Sequence, residues 1–391
     1  MNKNLFVLTL SQIFSFTAAP VTVFLSGIIG SQISPIKSLS TLPMSISVVG
    51  IAIGAVIASK VMSITGRKTG FIIASVGNSI VSLCAAYSIF NQNFSLFCFV
   101  NFFLGVGMAF THQYRFAAAE SVEKEQAPRA ISILLLAGIV SAFIGISLAN
   151  YTKNFIPNYL YAGSYLTLAF LTLMPAIFLA FFKEKSETIS KQDKQISTRT
   201  YIQFISDPRF LQALTAASFA YVVMAFLMTA TPISMHIIHK FSLDKLGIVM
   251  QFHVLAMFLP SLITGTLIKK YGFSKMMYLG VLFYVFTIIT SFQDPSFISY
   301  LLGLIFLGIG WNFLFVTATS LLVTTYTPDE KFKAQGFNDL VVFSFTAISS
   351  LSAGILISMT SWKSVNLLCI PFLILIIASI LNADLRKTEK N

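Results

Sequence analysis

Residues 103–110 read FLGVGMAF and residues 306–313 read FLGIGWNF, so one glycine-rich pattern occurs twice along the chain. Two other stretches are repeated in the same order around it. They are 17–21 (TAAPV) with 229–233 (TATPI), and 63–68 (SITGRK) with 269–275 (KKYGFSK). Because three matched pairs keep their order, we interpret the chain as two homologous halves.

The composition indicates that these halves lie in a membrane. The chain has 391 residues, of which 56% are hydrophobic and 10% are charged, and its mean hydropathy is +0.82. A soluble domain carries about 25% charged residues, so this composition excludes a soluble enzyme, a nucleic-acid-binding domain and a disordered chain. Cys84, Cys98 and Cys369 lie in apolar runs without metal-ligand or disulfide spacing. We therefore expect no metal and no cofactor.

Twelve apolar runs have the length of about 20 residues that a membrane-spanning helix needs. Transmembrane strands are about 10 residues long and alternate in polarity, so the runs predict an all-α integral membrane protein. The runs are 5–30, 40–62, 70–90, 94–118, 130–150, 160–182, 210–235, 247–268, 274–293, 297–323, 337–358 and 364–382. The hydrophilic stretch after the sixth run predicts an N-terminal six-helix half at 1–183, a cytoplasmic linker at 184–208 and a C-terminal six-helix half at 209–391.

The positions of lysine and arginine predict the orientation of the chain. Of 26 such residues, 20 fall in segments that are cytoplasmic if both termini are inside, five fall in outer segments, and Arg115 lies within a run. Lysine and arginine concentrate in cytoplasmic loops, so we expect cytoplasmic N and C termini. The bias also accounts for the net charge of +12 without a nucleic-acid partner. The first run continues past the cleavage-like residues 17–19, which favours a spanning helix over a signal peptide.

Between the second and third runs, residues 59–68 read SKVMSITGRK. This turn resembles that of the major facilitator superfamily, whose signature is roughly Gly-x-x-x-Asp-Arg-x-Gly-Arg-Lys. It keeps the final Gly-Arg-Lys but has Ser59 and Ser63 in place of the glycine and the aspartate. Asp207-Pro208-Arg209-Phe210 before the seventh run also fits that family. The resemblance covers essentially the whole chain. It implies two pseudo-symmetric six-helix halves that work by alternating access around a central site.

Further stretches resemble one bacterial permease branch of that family, a branch similar to riboflavin transporters. They are 40–43 (STLP), 114–118 (YRFAA), 253–257 (HVLAM), 260–261 (PS), 310–313 (GWNF) and 335–339 (QGFND). The resemblance implies a monomeric transporter in the bacterial cytoplasmic (inner) membrane, with riboflavin or another heteroaromatic or anionic metabolite as substrate. Drug antiporters of the superfamily carry a Gly-Pro pair in helix 5, where this chain has Gly145-Ile146, which disfavours drug efflux.

Several polar residues inside the runs are candidates for function. Arg115 lies deep in a run, where a charge costs about 2.5–3.5 kcal/mol. It is either a ligand for an anion or carbonyl, or the partner of Glu120 or another nearby acid. Asp339 is either a proton-coupling carboxylate or an anchor at a helix start. His253 and His112 can each carry a proton or bond a neighbouring helix.

Aromatic and amide side chains on the fourth and tenth runs suit a flat heteroaromatic solute. The ring of the solute can stack on an aromatic side chain, and an amide can form hydrogen bonds with polar atoms at the edge of that ring. The alternative is helix–helix packing. The substrate-binding candidates are Gln113, Tyr114, Arg115, Trp311, Asn312 and Asn338. Matched helix breaks point to a central site, although tolerated kinks would look the same. The helix-break and gating candidates are Pro20, Pro232, Gly66, Arg67 and Lys68.

The leading hypothesis is therefore a secondary active or facilitative transporter of a small organic solute, with protons as the candidate coupling ion and no enzymatic activity. The chain has no Walker-type phosphate loop, which disfavours ATP-driven transport. One alternative is an efflux permease for a siderophore or drug-like compound. A membrane-embedded enzyme needs clustered acids or histidines, and the four histidines are scattered. A non-transporting receptor with the same fold is the other alternative from a different class.

Overall fold

The computed structural model describes residues 2–36, 39, 42–183 and 199–388, and all regular structure in these ranges is helical. Ten helical segments among them are long and apolar enough to cross a membrane. One of these segments, Leu42–Phe90, contains two of the predicted runs, and the eleventh run lies on a further helix of 29 residues, Lys331–Met359. The prediction of an all-helical membrane protein is confirmed. Residues 184–198, most of the predicted linker, lie outside the described residues.

The helices before the linker are numbered in chain order. They are α1 (Lys3–Ser15), α2 (Ala18–Ile33), α3 (Leu42–Phe90), α4 (Phe94–His112), α5 (Tyr114–Glu120), α6 (Ala127–Thr152) and α7 (Ala162–Leu179). Local signals set several of their ends. The Asn93 side chain, for example, accepts a hydrogen bond from the Leu96 backbone N–H and so begins α4.

Nine α-helices follow among the described residues 199–388, and the first of them lies within the predicted linker. They are α8 (Tyr201–Ser206), α9 (Pro208–Pro232), α10 (Leu243–Phe258), α11 (Ser261–Tyr271), α12 (Phe273–Thr290), α13 (Phe297–Leu322), α14 (Lys331–Met359), α15 (Trp362–Leu367) and α16 (Ile370–Thr388). Asp207 begins α9 by accepting from the backbone N–H groups of Arg209 and Phe210, with Pro208 in the first turn.

Contacts divide the chain into two compact units. Unit 1 comprises Met1–Glu123, Ala137–Arg199 and Thr327–Leu340, and unit 2 comprises Lys124–Leu136, Thr200–Tyr326 and Val341–Asn391. The first turns of α14 therefore belong to unit 1, and the first turns of α6 belong to unit 2.

The repeated glycine pattern has the same packing role in both units. In α4 of unit 1, a Cβ at Gly105 would collide with the Ser47 carbonyl of α3, and one at Gly107 would collide with the Asn78 side chain further along α3. In α13 of unit 2, a Cβ at Gly308 would lie 2.8 Å from the His253 carbonyl oxygen of α10. The glycines allow close helix approach, which explains why the pattern occurs twice.

The two basic turns also match in backbone conformation. Gly66 has φ 81° and ψ 164°, and it divides α3 into two arms. Gly272 has φ 80° and ψ 172° at the junction of α11 and α12. Only glycine adopts this region readily, so each half uses glycine to turn between two spanning segments.

The matched prolines lie at helix interruptions. Pro20 is the third residue of α2, just after the break between Ser15 and Ala18. Pro232 is the last residue of α9 and precedes a π-helical turn, Ile233–Ile238. Proline lacks the N–H that a continuing helix needs, which agrees with an interruption beside each of these two residues.

Candidate functional site

A buried ion pair joins α5 to the first turns of α14 within unit 1. Arg115 Nη2 contacts Asp339 Oδ1. Gln113 Nε2 donates to Asp339 Oδ2 over 2.8 Å, and Asn338 Nδ2 donates to Oδ1 over 2.9 Å. Each of these four residues is at most 2% exposed. We call Gln113, Arg115, Asn338 and Asp339 the Arg115 cluster.

The cluster resolves two of the alternatives left by the sequence. Arg115 does pair with an acid, but that acid is Asp339 and not Glu120, because Glu120 binds Arg67. Asp339 does not anchor a helix start at the surface, since it is the ninth residue of α14 and is 0% exposed. Removing one member of a buried pair leaves an uncompensated charge, so Arg115 and Asp339 depend on each other.

A second cluster lies about one helical turn from the first, also within unit 1. Arg67 Nε and Nη2 donate to the two Glu120 oxygens over 2.9 and 2.6 Å, and Nη2 also donates to Gln335 Oε1 over 2.7 Å. Gln335 Nε2 closes the ring by donating to Glu120 Oε1 over 3.0 Å. We call Arg67, Glu120 and Gln335 the Arg67 cluster. It forms although Ser63 replaces the aspartate of the family signature.

The residues beside Arg67 tie this turn to other helices of unit 1. Lys68 Nζ donates over 2.6 Å to the carbonyl oxygen of Ala180, which lies just after α7. A cation there also matches the negative end of the helix dipole. Ser59 Oγ donates to the carbonyl oxygen of Phe332 on α14. The Gly66 turn is thus held by polar contacts on both sides.

An ion pair connects the end of the linker to the start of α14. Arg199 Nε and Nη2 donate to Glu330 Oε1 and Oε2, each over 2.9 Å, and Lys333 Nζ donates to the Arg199 carbonyl oxygen over 2.6 Å. The hydrogen bonds from Arg199 lower the pKa of Glu330 to about 2, against the opposing effect of burial. The pair therefore stays charged until the pH falls well below the usual pKa of a glutamate.

The other candidates of the fourth run have packing partners in unit 1. The Tyr114 hydroxyl lies 3.2 Å from Ser15 Oγ, and its ring meets Phe71 edge-on at 4.3 Å between centroids. His112 is the last residue of α4, and its ring meets Phe16 edge-on at 6.2 Å. Neither belongs to the Arg115 cluster.

The Asn312 side chain in unit 2 forms hydrogen bonds to neighbouring helices. Its Oδ1 accepts from Thr264 Oγ1 over 2.7 Å, and its Nδ2 donates to the Met257 carbonyl oxygen and to Ser261 Oγ, each over 2.7 Å. These hydrogen bonds connect α13 to the junction between α10 and α11. Its role as a ligand stays a prediction.

Trp311 lies in an aromatic cluster of unit 2. Its ring stacks on Phe315 at 4.9 Å and meets Tyr221 at 5.3 Å and Phe258 at 6.0 Å between centroids. It is 1% exposed, and its indole N–H has no acceptor among the described residues. His253 is also buried in unit 2, where its Nδ1 lies 2.8 Å from the Leu304 carbonyl oxygen.

A polar face on α1 was missed by the sequence reasoning. Ser11, Gln12 and Ser15 are each at most 5% exposed. Among the described residues, Ser11 Oγ and Gln12 Oε1 have no hydrogen-bond partner. Polar residues at helical spacing inside an apolar run were the available signal, since buried polar groups in a membrane need partners.

Comparison with known proteins identifies the family. The family model "Major Facilitator Superfamily" matches residues 5–292 and 213–391. The riboflavin transporter RfnT of Brucella anthropi is 33% identical over 97% of this chain and 95% of its own length. The uncharacterized MFS-type transporter YdeG of Bacillus subtilis is 26% identical over 94% of this chain and 88% of its own length.

Solved structures agree on the fold. A bacterial homologue of the iron transporter ferroportin, in an outward-facing state, superposes with a TM-score of 0.72, at 15% identity, over 97% of this chain and 99% of its own. The MFS transporter FucP, in an outward conformation, gives 0.73 at 14% identity over 96% and 97%. The chain therefore belongs to the major facilitator superfamily and is a multi-pass membrane transporter of small solutes.

Proposed function

We propose that this chain imports riboflavin or a closely related heteroaromatic solute across the bacterial cytoplasmic membrane. The observation that carries the proposal is the 33% identity to a riboflavin transporter along nearly the full length of both chains. The direction of transport is part of the proposal, as is the absence of enzymatic activity. The chain works as a monomer with both termini in the cytoplasm, and residues 1–183 and 209–391 form the two halves that alternate access.

The geometry of unit 2 supports a flat aromatic solute. The rings of Trp311 and Phe315 stack on each other at 4.9 Å and are both buried, so a solute ring would pack against them only when this cluster opens during the transport cycle. The indole N–H of Trp311, which has no acceptor among the described residues, is a donor for a ring carbonyl. In unit 1, Asp339 is the candidate proton carrier, and loss of its charge on protonation would release Arg115.

Uptake of labelled riboflavin by riboflavin-requiring cells tests the proposal. Cells that express the chain should show saturable uptake above vector controls. Trp311→Phe keeps a ring but removes the N–H, so we expect KM to rise about tenfold with the protein still inserted. Trp362→Phe is the matched control, because the other tryptophan of the chain packs on Tyr300. Its uptake should equal that of the wild type. Correctly inserted protein without uptake would refute riboflavin transport.

A further inference from the structure

Two buried amide oxygens of the Arg115 cluster have no hydrogen-bond donor in the part of the chain that the structure describes. They are Gln113 Oε1 and Asn338 Oδ1, and neither has a partner among the described residues. Gln113 is 0% exposed and Asn338 is 2% exposed. A buried acceptor without a donor costs about 1–3 kcal/mol. Two such oxygens in one cluster therefore call for an explanation.

The Asp339 carboxylate fixes which way these amides point. Gln113 and Asn338 each donate their NH₂ group to it, over 2.8 and 2.9 Å. Rotating either amide by half a turn would place its carbonyl oxygen against a carboxylate oxygen, and two acceptors repel each other. The NH₂ groups must therefore face Asp339, and the oxygens must face away from it.

The charge of the cluster disfavours an anionic ligand. Arg115 is neutralised by Asp339, and their side chains are 3% and 1% exposed. The Phe116 ring also lies 4.6 Å from the guanidinium carbon. An anion would have to compete with Asp339 for Arg115, and it would meet two further acceptor oxygens. A neutral molecule with O–H or N–H donors meets no such obstacle.

We infer that the side-chain oxygens of Gln113 and Asn338 accept hydrogen bonds from hydroxyl groups of an uncharged solute and select it over its anionic forms. The inference rests on the proposed riboflavin transport and adds a specificity to it. Riboflavin is uncharged and carries a chain of hydroxyl groups on its ring system. The two oxygens would accept hydrogen bonds from the hydroxyl groups of this flavin side chain. Lumiflavin lacks the side chain, and in flavin mononucleotide it ends in a phosphate.

Binding of three flavins to the purified full chain, followed by flavin fluorescence, tests the inference. The wild type should bind riboflavin at least about tenfold more tightly than lumiflavin or flavin mononucleotide. Gln113→Met and Asn338→Leu should each raise the Kd of riboflavin about tenfold and leave that of lumiflavin unchanged. Gln335→Met is the matched control, because this buried glutamine has both amide atoms bonded within the Arg67 cluster. It should change both Kd values by the same factor.

The outcomes separate the inference from the proposed function. If Gln113→Met and Asn338→Leu weaken riboflavin and lumiflavin equally, these residues only support Asp339, and the inference is wrong while riboflavin transport stands. Equal affinity of the wild type for riboflavin and flavin mononucleotide would also overturn it. A folded wild type that binds no flavin would instead refute the proposed function, and the inference would fall with it.

Discussion

At the scale of single residues, the Arg115–Asp339 pair should behave as a unit. Arg115→Gln or Asp339→Asn alone leaves one buried charge, so each should lower the free energy of unfolding by about 3–5 kcal/mol. The double variant leaves no charge, so its loss should be much smaller than the sum of the two single losses. Reversible unfolding in detergent, measured for the four proteins of this cycle, gives the coupling energy.

The pair between Arg209 and Asp384 is the control for this cycle. Its atoms are 3.2 Å apart, but its side chains are 29% and 41% exposed. Exposed pairs contribute about 0.2–1 kcal/mol, so Arg209→Gln and Asp384→Asn should each have small and additive effects. Additive losses in the Arg115 cycle would show that the two charges are solvated independently, contrary to the structure.

The sequence could identify these residues but could not pair them. A charge inside an apolar run must find a partner, which made Arg115 a candidate. The acid that binds it lies 224 positions away, and the sequence offered Glu120 as a nearer choice. The roles of Glu120, Gln335 and Asn338 depend on which helices pack together, and that packing cannot be read from a single amino-acid sequence.

At the scale of elements, the turn at Gly272 should tolerate only glycine. Its φ of 80° and ψ of 172° are costly for any residue with a Cβ. A Cβ there would meet no atom of the described residues within 4 Å, so we expect the effect to come from backbone strain. We expect Gly272→Ala to lower the free energy of unfolding by about 1–3 kcal/mol. Chemical unfolding in detergent measures it.

Gly77→Ala is the matched control for that turn. Gly77 lies inside the α3 helix, and a Cβ there would also meet nothing within 4 Å. Alanine is favoured over glycine in a helix by about 0.5–1 kcal/mol, so this variant should be neutral or slightly more stable. If both variants were equally stable, the turn would not require a positive φ.

Elements were largely predictable because their causes are local. Apolar runs predict helices, Pro20 and Pro232 lie at helix interruptions, and glycine permits the turn and the close packing of α4 on α3. The polar face of α1 was missed for a different reason. Ser11 and Gln12 are few among many apolar residues, and their importance depends on the burial of that face in the folded unit.

At the scale of the whole molecule, the basic residues predict orientation, and labelling can test it. With both termini inside, the turn at Asn91 is extracellular and the turn at Glu123 is cytoplasmic, and both residues are exposed. In a variant with its three cysteines replaced by serine, Asn91→Cys should react with an impermeant maleimide in intact cells. Glu123→Cys should react only after the membrane is opened. The opposite labelling pattern would show that the chain has the inverted orientation, with the Arg67 cluster on the outer side of the membrane.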